Sequence, residues 1–428
     1  MRDPIAFLFS LERLGMKFGL ENISRLCAAL DHPERAFRPL LVAGTNGKGS
    51  VTAMVDTALA AAGHRTGRYT SPHLVRLEER FALSGREVGS NDLRSAAARV
   101  EDAARQLVAD GTLESLPTFF ECTTAVAFEL FRRHGVDIAV LEVGLGGRLD
   151  ATNVVAPIVT AITSIDLDHQ AQLGPTIASI AAEKAGIIRP GVPVVCGPLP
   201  EAAGRVIRAV AEARGAPLVI AGNRVTVSPR GDGRVDVRTE AWTLSGLRLG
   251  LEGAHQRANA AVAVAVLEAL ARLDVPVPAG AVGAGLTEVH WPARLEHFDL
   301  DGIPVTLDAA HNPAGAKALA AYLAEAGTAD LTLVFGAMGD KDVAGMLAAL
   351  VGNAADRWGA IVCTTAPGER ALPAEALARL ADQASGGRVP VEAVADPAAA
   401  LAHARRRGRP VVAAGSIFLI GPLRDILR

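Results

Sequence analysis

Leu40-Leu41-Val42-Ala43-Gly44-Thr45-Asn46-Gly47-Lys48-Gly49-Ser50 is the stretch on which the chain turns. Its apolar start, residues 40–43, stops at a glycine-rich turn, and the alanine-rich run 51–62 that follows has helical character. Strand, glycine turn and helix make a phosphate cradle: backbone N–H groups and the helix N-terminus face an anion, and Lys48 adds a charge. The spacing departs from the Walker pattern G-x-x-x-x-G-K-[ST], since only Thr45 and Asn46 separate Gly44 from Gly47, and Gly49 precedes Ser50. The alternative is a βα turn rich in glycine for steric reasons alone. Lysine is scarce, however: Lys17, Lys48, Lys184, Lys317 and Lys341 stand against arginine as the ordinary cation. A lysine inside a motif then suggests chemistry that a guanidinium cannot perform.

Around this stretch, apolar runs at 39–43, 137–143, 155–165 and 193–196 alternate with helical patterns at 91–109, 119–133 and 176–188. The runs are continuous in Val, Ile and Leu, which implies a parallel sheet covered on both faces and a ligand at the carboxyl ends of its strands. From 224 to 251 the pattern alternates around Gly231-Asp232-Gly233, a hairpin signal. After Trp291-Pro292-Ala293-Arg294 a second strand–helix alternation begins, without a G-x-G-x-x-G fingerprint. The expected fold class is therefore α/β. A doubly wound, P-loop-type N-terminal domain (1–292) carries a small antiparallel β insertion, and a smaller Rossmann-like domain spans 293–428.

At 428 residues two domains are the prior expectation. With 21% charged residues and a formal net charge of −3, the chain carries no electrostatic footprint for nucleic acid or an anionic membrane. No apolar run reaches the length of a membrane span, and the start of the chain lacks a secretory apolar region. Cys27, Cys122, Cys196 and Cys363 show no metal spacing, so a cytoplasmic protein with reduced thiols is expected.

Four further clusters could carry chemistry. Pro72 favours an extended Ser71, suited to offering a hydroxyl to a metal or phosphate. Glu142 ends an apolar strand, where an uncompensated carboxylate is costly, and Gly144-Leu145-Gly146-Gly147-Arg148-Leu149-Asp150 follows. Ser164-Ile165-Asp166-Leu167-Asp168-His169 leaves the next strand, with Glu183-Lys184 beyond it. In the second domain Asp308-Ala309-Ala310-His311-Asn312-Pro313 follows a strand, with Arg294 upstream. His255 and Asn259 share one face of a helix by the i,i+4 rule. For each a bland alternative stands: a loop, a capped strand end, a surface histidine, a helix cap, a polar helix face.

Together these residues carry a resemblance. Gly44-Thr45-Asn46-Gly47-Lys48-Gly49-Ser50 is similar to the nucleotide loop of the Mur ligase superfamily. Ser71-Pro72-His73-Leu74, residues 142–153, Leu167-Asp168-His169 with Glu183-Lys184-Ala185-Gly186, and residues 308–313 resemble folylpolyglutamate synthase, in particular the bacterial enzymes that are also dihydrofolate synthases. The likeness covers residues 15–421.

The resemblance implies an ATP-dependent, ADP-forming ligase that adds L-glutamate to dihydropteroate or a reduced folate through an acyl phosphate. It implies that Thr45, Asn46, Gly47, Lys48, Gly49 and Ser50 bind ATP phosphates, joined by Asn259, Arg294, Asp308 and His311. Ser71 and Glu142 would hold one Mg²⁺ and His169 a second, with Lys184 carbamylated. Lys48, Glu142, His169 and Lys184 would be the catalytic set. Thr118, Phe119, Phe120, Glu121, Leu149, Asp150 and Ala151 would form the pterin site, with residues 16–18 less directly matched. Ser416 would reach glutamate, and Lys341 matches a family loop without an assigned role. The partners are then small molecules only, and a monomer is expected. A monofunctional folylpolyglutamate synthase, another Mur-type amino-acid ligase and a nucleotide-dependent binding module are the alternatives. A switch would not explain Glu142, His169 and Lys184 beside one phosphate loop.

Overall fold

A computed structural model describes residues 3–15 and 17–428, so Met16 lies outside the described residues. The chain divides into two compact units, residues 1–250 with 257–289, and residues 251–256 with 290–428.

The first unit is built on eight strands: β1 (Arg38–Ala43), β2 (Thr66–Tyr69), β3 (Phe81–Leu83), β4 (Arg86–Glu87), β5 (Ile138–Glu142), β6 (Val159–Ile162), β7 (Val194–Cys196) and β8 (Leu218–Ile220). Their order is β4-β3-β2-β5-β1-β6-β7-β8, with β2, β5, β1, β6, β7 and β8 parallel and the β3 and β4 pairings antiparallel. Leu41, Ala43, Leu141 and Ile162 join one core with Ala96 and Val100 of helix Ser90–Ala109, Val126 and Phe128 of Phe119–Arg133, and Ile180 of Ile177–Ala185. Leu40, Val42 and Val140, which alternate with them along the strands, are buried too, so the sheet is covered on both faces. Each such side chain stabilises the fold by about 1.5–3 kcal/mol. A separate antiparallel sheet, β9 (Thr226–Pro229), β10 (Val235–Arg238) and β11 (Thr243–Leu247), supplies the expected hairpin.

The second unit carries β12 (Glu296–Leu300), β13 (Ile303–Leu307), β14 (Leu331–Phe335), β15 (Trp358–Cys363), β16 (Val391–Ala393) and β17 (Val411–Ala414), in the order β12-β13-β17-β14-β15-β16. Only β12 runs antiparallel to its neighbour. Leu333, Phe335, Ile361 and Val412 pack there with Leu319, Met346 and Leu377 from the covering helices. The α/β class, the parallel sheets and the antiparallel insertion are as expected.

The differences have local causes. β2 is short and polar because its residues are used sideways: Thr66 Oγ1 donates to the buried Asp56 at 2.6 Å and Arg68 pairs with it at 3.2 Å. The β3–β4 hairpin turns on Ser84 (φ 47°) and Gly85 (φ 76°), both left-handed as a two-residue hairpin requires. The expected strand at 155–165 is confined to Val159–Ile162, since the residues after it bond to the glycine loop instead. Helix Ile417–Leu427 contains Pro422, which argues against a helix when read from sequence.

Helix Ala279–Thr287 lies against helix Lys48–Ala61, with Gly285 at the closest approach. A Cβ at Gly285 would lie 2.5 Å from the Ala58 Cβ and 2.7 Å from the Met54 carbonyl. Helix propensity alone would make Gly285→Ala stabilising by about 1 kcal/mol. The collision reverses the sign, and a net loss of about 1–3 kcal/mol is expected in urea unfolding. A raised midpoint would show that the two helices are not in register at this position.

Candidate active site

Gly44 (φ +153°) and Gly47 (φ +85°) let the chain leave β1 and enter helix Lys48–Ala61 in conformations that a side chain disfavours. A Cβ at Gly44 would collide with the Thr163 hydroxyl, and one at Gly47 with the side-chain oxygen of Asn259. Asn259, on helix Ala254–Ala271, thus belongs with the loop in the first unit. The turn is tied to the end of β6. Thr163 Oγ1 donates to the Asn46 carbonyl at 2.6 Å, the Asn46 N–H donates to Ser164 Oγ at 3.0 Å, and the Asp166 N–H donates to Thr45 Oγ1 at 3.0 Å. The helix begins with no side chain capping its first turn, the arrangement that suits an anion. Gly49 and Ser50 lie buried in that turn.

Two lysines converge here. Lys48 Nζ donates to the carbonyls of Gly44 and Thr45, each at 3.2 Å. Lys184 Nζ, from the last turn of helix Ile177–Ala185, donates to the same Gly44 carbonyl at 2.9 Å. Lys184 is buried, and that burial, with the Lys48 ammonium next, pulls its amine down to about 7 against the opposing pull of Asp168 and Asp150.

Glu142, buried at the end of β5, accepts the Ser71 N–H at 3.3 Å, so these two expected metal ligands are adjacent. The Ser71–Pro72 peptide is cis. His169 takes a left-handed conformation, its ring Nε2 3.9 Å from Asp168 Oδ1. Asp168 thus neighbours His169 and also acts electrostatically on Lys184. Glu142, Asp168 and the Ser71 hydroxyl are hard oxygen donors of the kind Mg²⁺ takes alongside water and phosphate, with the His169 imidazole the atypical member. Among the described residues, no group of three or more His, Cys, Asp and Glu side chains is arranged to hold a metal by itself.

Residues 144–153 are strapped to the helix that carries Lys184. The Arg148 N–H donates to the Glu183 carbonyl at 2.9 Å, Arg148 pairs with the Glu183 carboxylate at 2.9 Å, and Asn153 Nδ2 donates to Gly186 O at 3.3 Å. Buried Asp150 accepts the Leu145 N–H at 2.9 Å and the Thr152 N–H at 3.0 Å, which makes it the organiser of its own loop. Burial pushes its carboxyl up against those bonds. Leu149 is half-buried and Ala151 buried beside it.

Thr118 and Glu121 form a reciprocal cap on helix Phe119–Arg133, the Glu121 carboxylate accepting the Thr118 N–H at 2.7 Å. Phe119 stacks on Phe9 with ring centroids 5.9 Å apart and lies under the Arg80 guanidinium at 5.0 Å. Arg80 in turn donates to His73 Nδ1 at 2.9 Å, while burial, and Arg80 after it, lower that ring to about 4. Phe120 lies against Tyr69, at 6.0 Å, and under the Gly144 backbone. Both phenylalanines are half-buried, so neither is a plain core residue.

In the second unit, Asp308 follows β13 and is buried; its carboxylate accepts the Leu295 N–H at 3.1 Å and the Ala310 N–H at 2.9 Å. Burial raises its pKa while nearby Arg294 draws it down. His311 places Nδ1 2.9 Å from the Ala309 carbonyl. Ser416 caps helix Ile417–Leu427 by accepting the Phe418 N–H at 3.2 Å. Half-buried Lys341 follows a turn closed by its N–H on the Met338 carbonyl. Thr163 is absent from the clusters that the sequence singles out, while Ser164, Asp166 and Asp168 stand there in the His169 cluster without an assigned role. The available signal was a Thr-Ser pair ending an apolar strand, where a hydroxyl has reason to be only if something nearby needs it.

Residues 293–417 match the family described as Mur ligase, glutamate ligase domain. A relative in Haloferax volcanii, named a probable bifunctional folylpolyglutamate synthase/dihydropteroate synthase, is 38% identical over 99% of this chain, which spans half of that protein's length. The solved Mycobacterium tuberculosis folylpolyglutamate synthase, complexed with ADP and AMPPCP, is 35% identical, with a TM-score of 0.90 over 99% of both chains. A bifunctional folylpolyglutamate synthase/dihydrofolate synthase solved with Mn, AMPPNP and L-glutamate bound is 32% identical, with a TM-score of 0.85 over 100% of this chain and 98% of that one. A glycine loop met by two lysines, set on this two-unit scaffold and matched over the chain's length by such relatives, places the chain in the folylpolyglutamate synthase/dihydrofolate synthase family of the Mur ligase superfamily.

Proposed function

We propose that this chain is an ATP-dependent, ADP-forming ligase that joins L-glutamate to dihydropteroate and to tetrahydrofolate, acting as a monomer in the cytoplasm. The observation that carries the reading is the convergence of Lys48 and Lys184 on the Gly44 carbonyl. In this reading the acceptor carboxylate attacks the γ-phosphorus of ATP, giving an acyl phosphate and ADP. The glutamate amine then attacks the acyl carbon, loses a proton, and inorganic phosphate leaves. Residues 45–50 offer backbone N–H groups, and Lys48 a charge, to the ATP phosphates. Asn259, beside the loop, contacts the nucleotide, and Arg294, Asp308 and His311 of the second unit are assigned to nucleotide binding. Phe120 offers a ring face to the pterin, with Thr118, Phe119, Glu121, Leu149, Asp150 and Ala151 shaping that pocket. Ser416 orients glutamate.

Ser71 with Glu142, and His169 with Lys184, would hold two Mg²⁺ ions, which would supply neutralisation of the anionic charge. As an ammonium, Lys184 would oppose that charge while lying buried beside Lys48. Addition of its neutral amine to CO₂ forms an N–C bond and releases a proton, leaving a carbamate. Repulsion from Lys48 would then become attraction, and the carbamate would offer two oxygens to a cation.

ADP release with dihydropteroate or tetrahydrofolate as acceptor is expected to depend on added L-glutamate. Release independent of glutamate with both acceptors would sink the ligase reading. Replacement of Lys184 by alanine is expected to lower turnover by about a hundredfold or more, the scale of losing a preorganised charged group. The fold should remain intact, and formate or acetate should restore part of the rate. Undiminished turnover in that variant would rule out the carbamate.

A further inference from the structure

Arg294 sits in an unusual turn. Ala293 (φ 60°) and Leu295 (φ 47°) on either side of it are both left-handed, a conformation that a buried leucine rarely adopts without help. The help comes from two carboxylates. Asp308 accepts the Leu295 N–H at 3.1 Å, and Glu296 Oε2 accepts the Ala293 N–H at 2.8 Å. The Ala293 carbonyl closes the turn by accepting the Ala309 N–H at 2.9 Å. Glu296 is itself held, since the same Oε2 accepts Arg424 Nε at 2.7 Å, and the two side chains are 13% and 5% exposed. Arg424 comes from helix Ile417–Leu427, the helix that follows β17 and starts at Ser416.

We infer that Glu296 and Arg424 are positioning residues for Arg294, the pair holding the left-handed turn that carries its guanidinium. The inference rests on the nucleotide-binding reading of Arg294 given above. The Glu296 carboxylate could rotate away from the turn, but Arg424 pins the oxygen that the Ala293 N–H needs. Without the pin the turn loses a fixed acceptor, and its two left-handed residues can relax toward ordinary backbone. Arg294 then samples many placements, and nucleotide binding must restore one of them. A purely structural role for the pair would lower stability and leave nucleotide affinity alone.

The test is a double-mutant cycle read by calorimetric titration with ADP, on variants whose fold is checked by circular dichroism. Arg424→Ala is expected to weaken ADP binding about tenfold, within the span of measured coupling between linked residues. Arg294→Ala should weaken it at least as much, and the double variant should lose no more than Arg294→Ala alone. Arg424→Lys, which keeps one donor for Glu296, should recover most of the affinity. Glu296→Gln should give an intermediate loss and stands in if Arg424→Ala does not fold. Unchanged ADP affinity in Arg424→Ala or Glu296→Gln, or additive losses in the cycle, would overturn the inference while leaving the role of Arg294 standing. No effect of Arg294→Ala would instead remove that role, and the inference with it.

Discussion

The Gly44 carbonyl accepts from Lys48 and from Lys184, and much of the first unit serves that one oxygen. A carbonyl satisfies two ammonium donors only if both arrive from different sides, on elements that cannot drift. Lys48 arrives from the first turn of its helix, curled back over the loop it follows. Lys184 arrives from the last turn of a different helix, 140 residues after Gly44 in the chain. That second approach is fixed by the loop at 144–153, whose backbone and Arg148 are bonded to Glu183. The carboxyl end of the sheet is where these pieces meet, because parallel strands deliver all their following loops to one edge.

The second unit solves a similar problem with different parts. There, too, a loop after a parallel strand carries a buried carboxylate, Asp308, whose oxygens hold backbone N–H groups on two sides. Burying Asp308 costs free energy, and its raised pKa records that. Two N–H donors and the nearby Arg294 offset the cost, so the carboxylate stays where it can organise a turn. Asp150 in the first unit does the same for its own loop. In both places an aspartate that resembles a ligand from sequence is first a fastener. A carboxylate oxygen has two lone pairs, so one bond to the backbone leaves it able to accept again.

The sequence was most legible where burial sets the pattern. Continuous apolar runs marked β1, β5, β6 and β7, and the second unit's parallel strands, because a strand covered on both faces is filled mostly by apolar side chains. It was least legible where polar residues serve structure. Thr66-Gly67-Arg68-Tyr69 reads as a loop, yet it is a strand that binds Asp56 on one side and makes room for Phe131 at Gly67. The same blindness hid Thr163, and hid what Ser164 and Asp166 do for structure: their hydroxyls and backbone hold the glycine loop through contacts some 120 residues apart. Glu296 and Arg424 were invisible for a like reason, since a pair separated by 128 positions leaves no periodic trace. The glycine loop and the two lysines were legible because composition exposed them. In a chain that uses arginine as its default cation, each lysine inside a motif stands out.

That preference has a physical basis at position 184. An arginine there would carry its charge permanently, and burial beside Lys48 would offer it no route to neutrality. Its planar fork would also direct several donors at a site that presents one carbonyl. Lysine differs in both respects. Its single nitrogen fits one acceptor, and burial together with Lys48 brings the amine down to about 7, where neutral and charged forms coexist. The fold therefore does more than tolerate a buried lysine. By burying it and placing a second ammonium beside it, against the opposing pull of Asp168 and Asp150, the fold makes the charged form expensive. The nitrogen is thus held, with its charge disfavoured, where the sheet gathers the glycine loop.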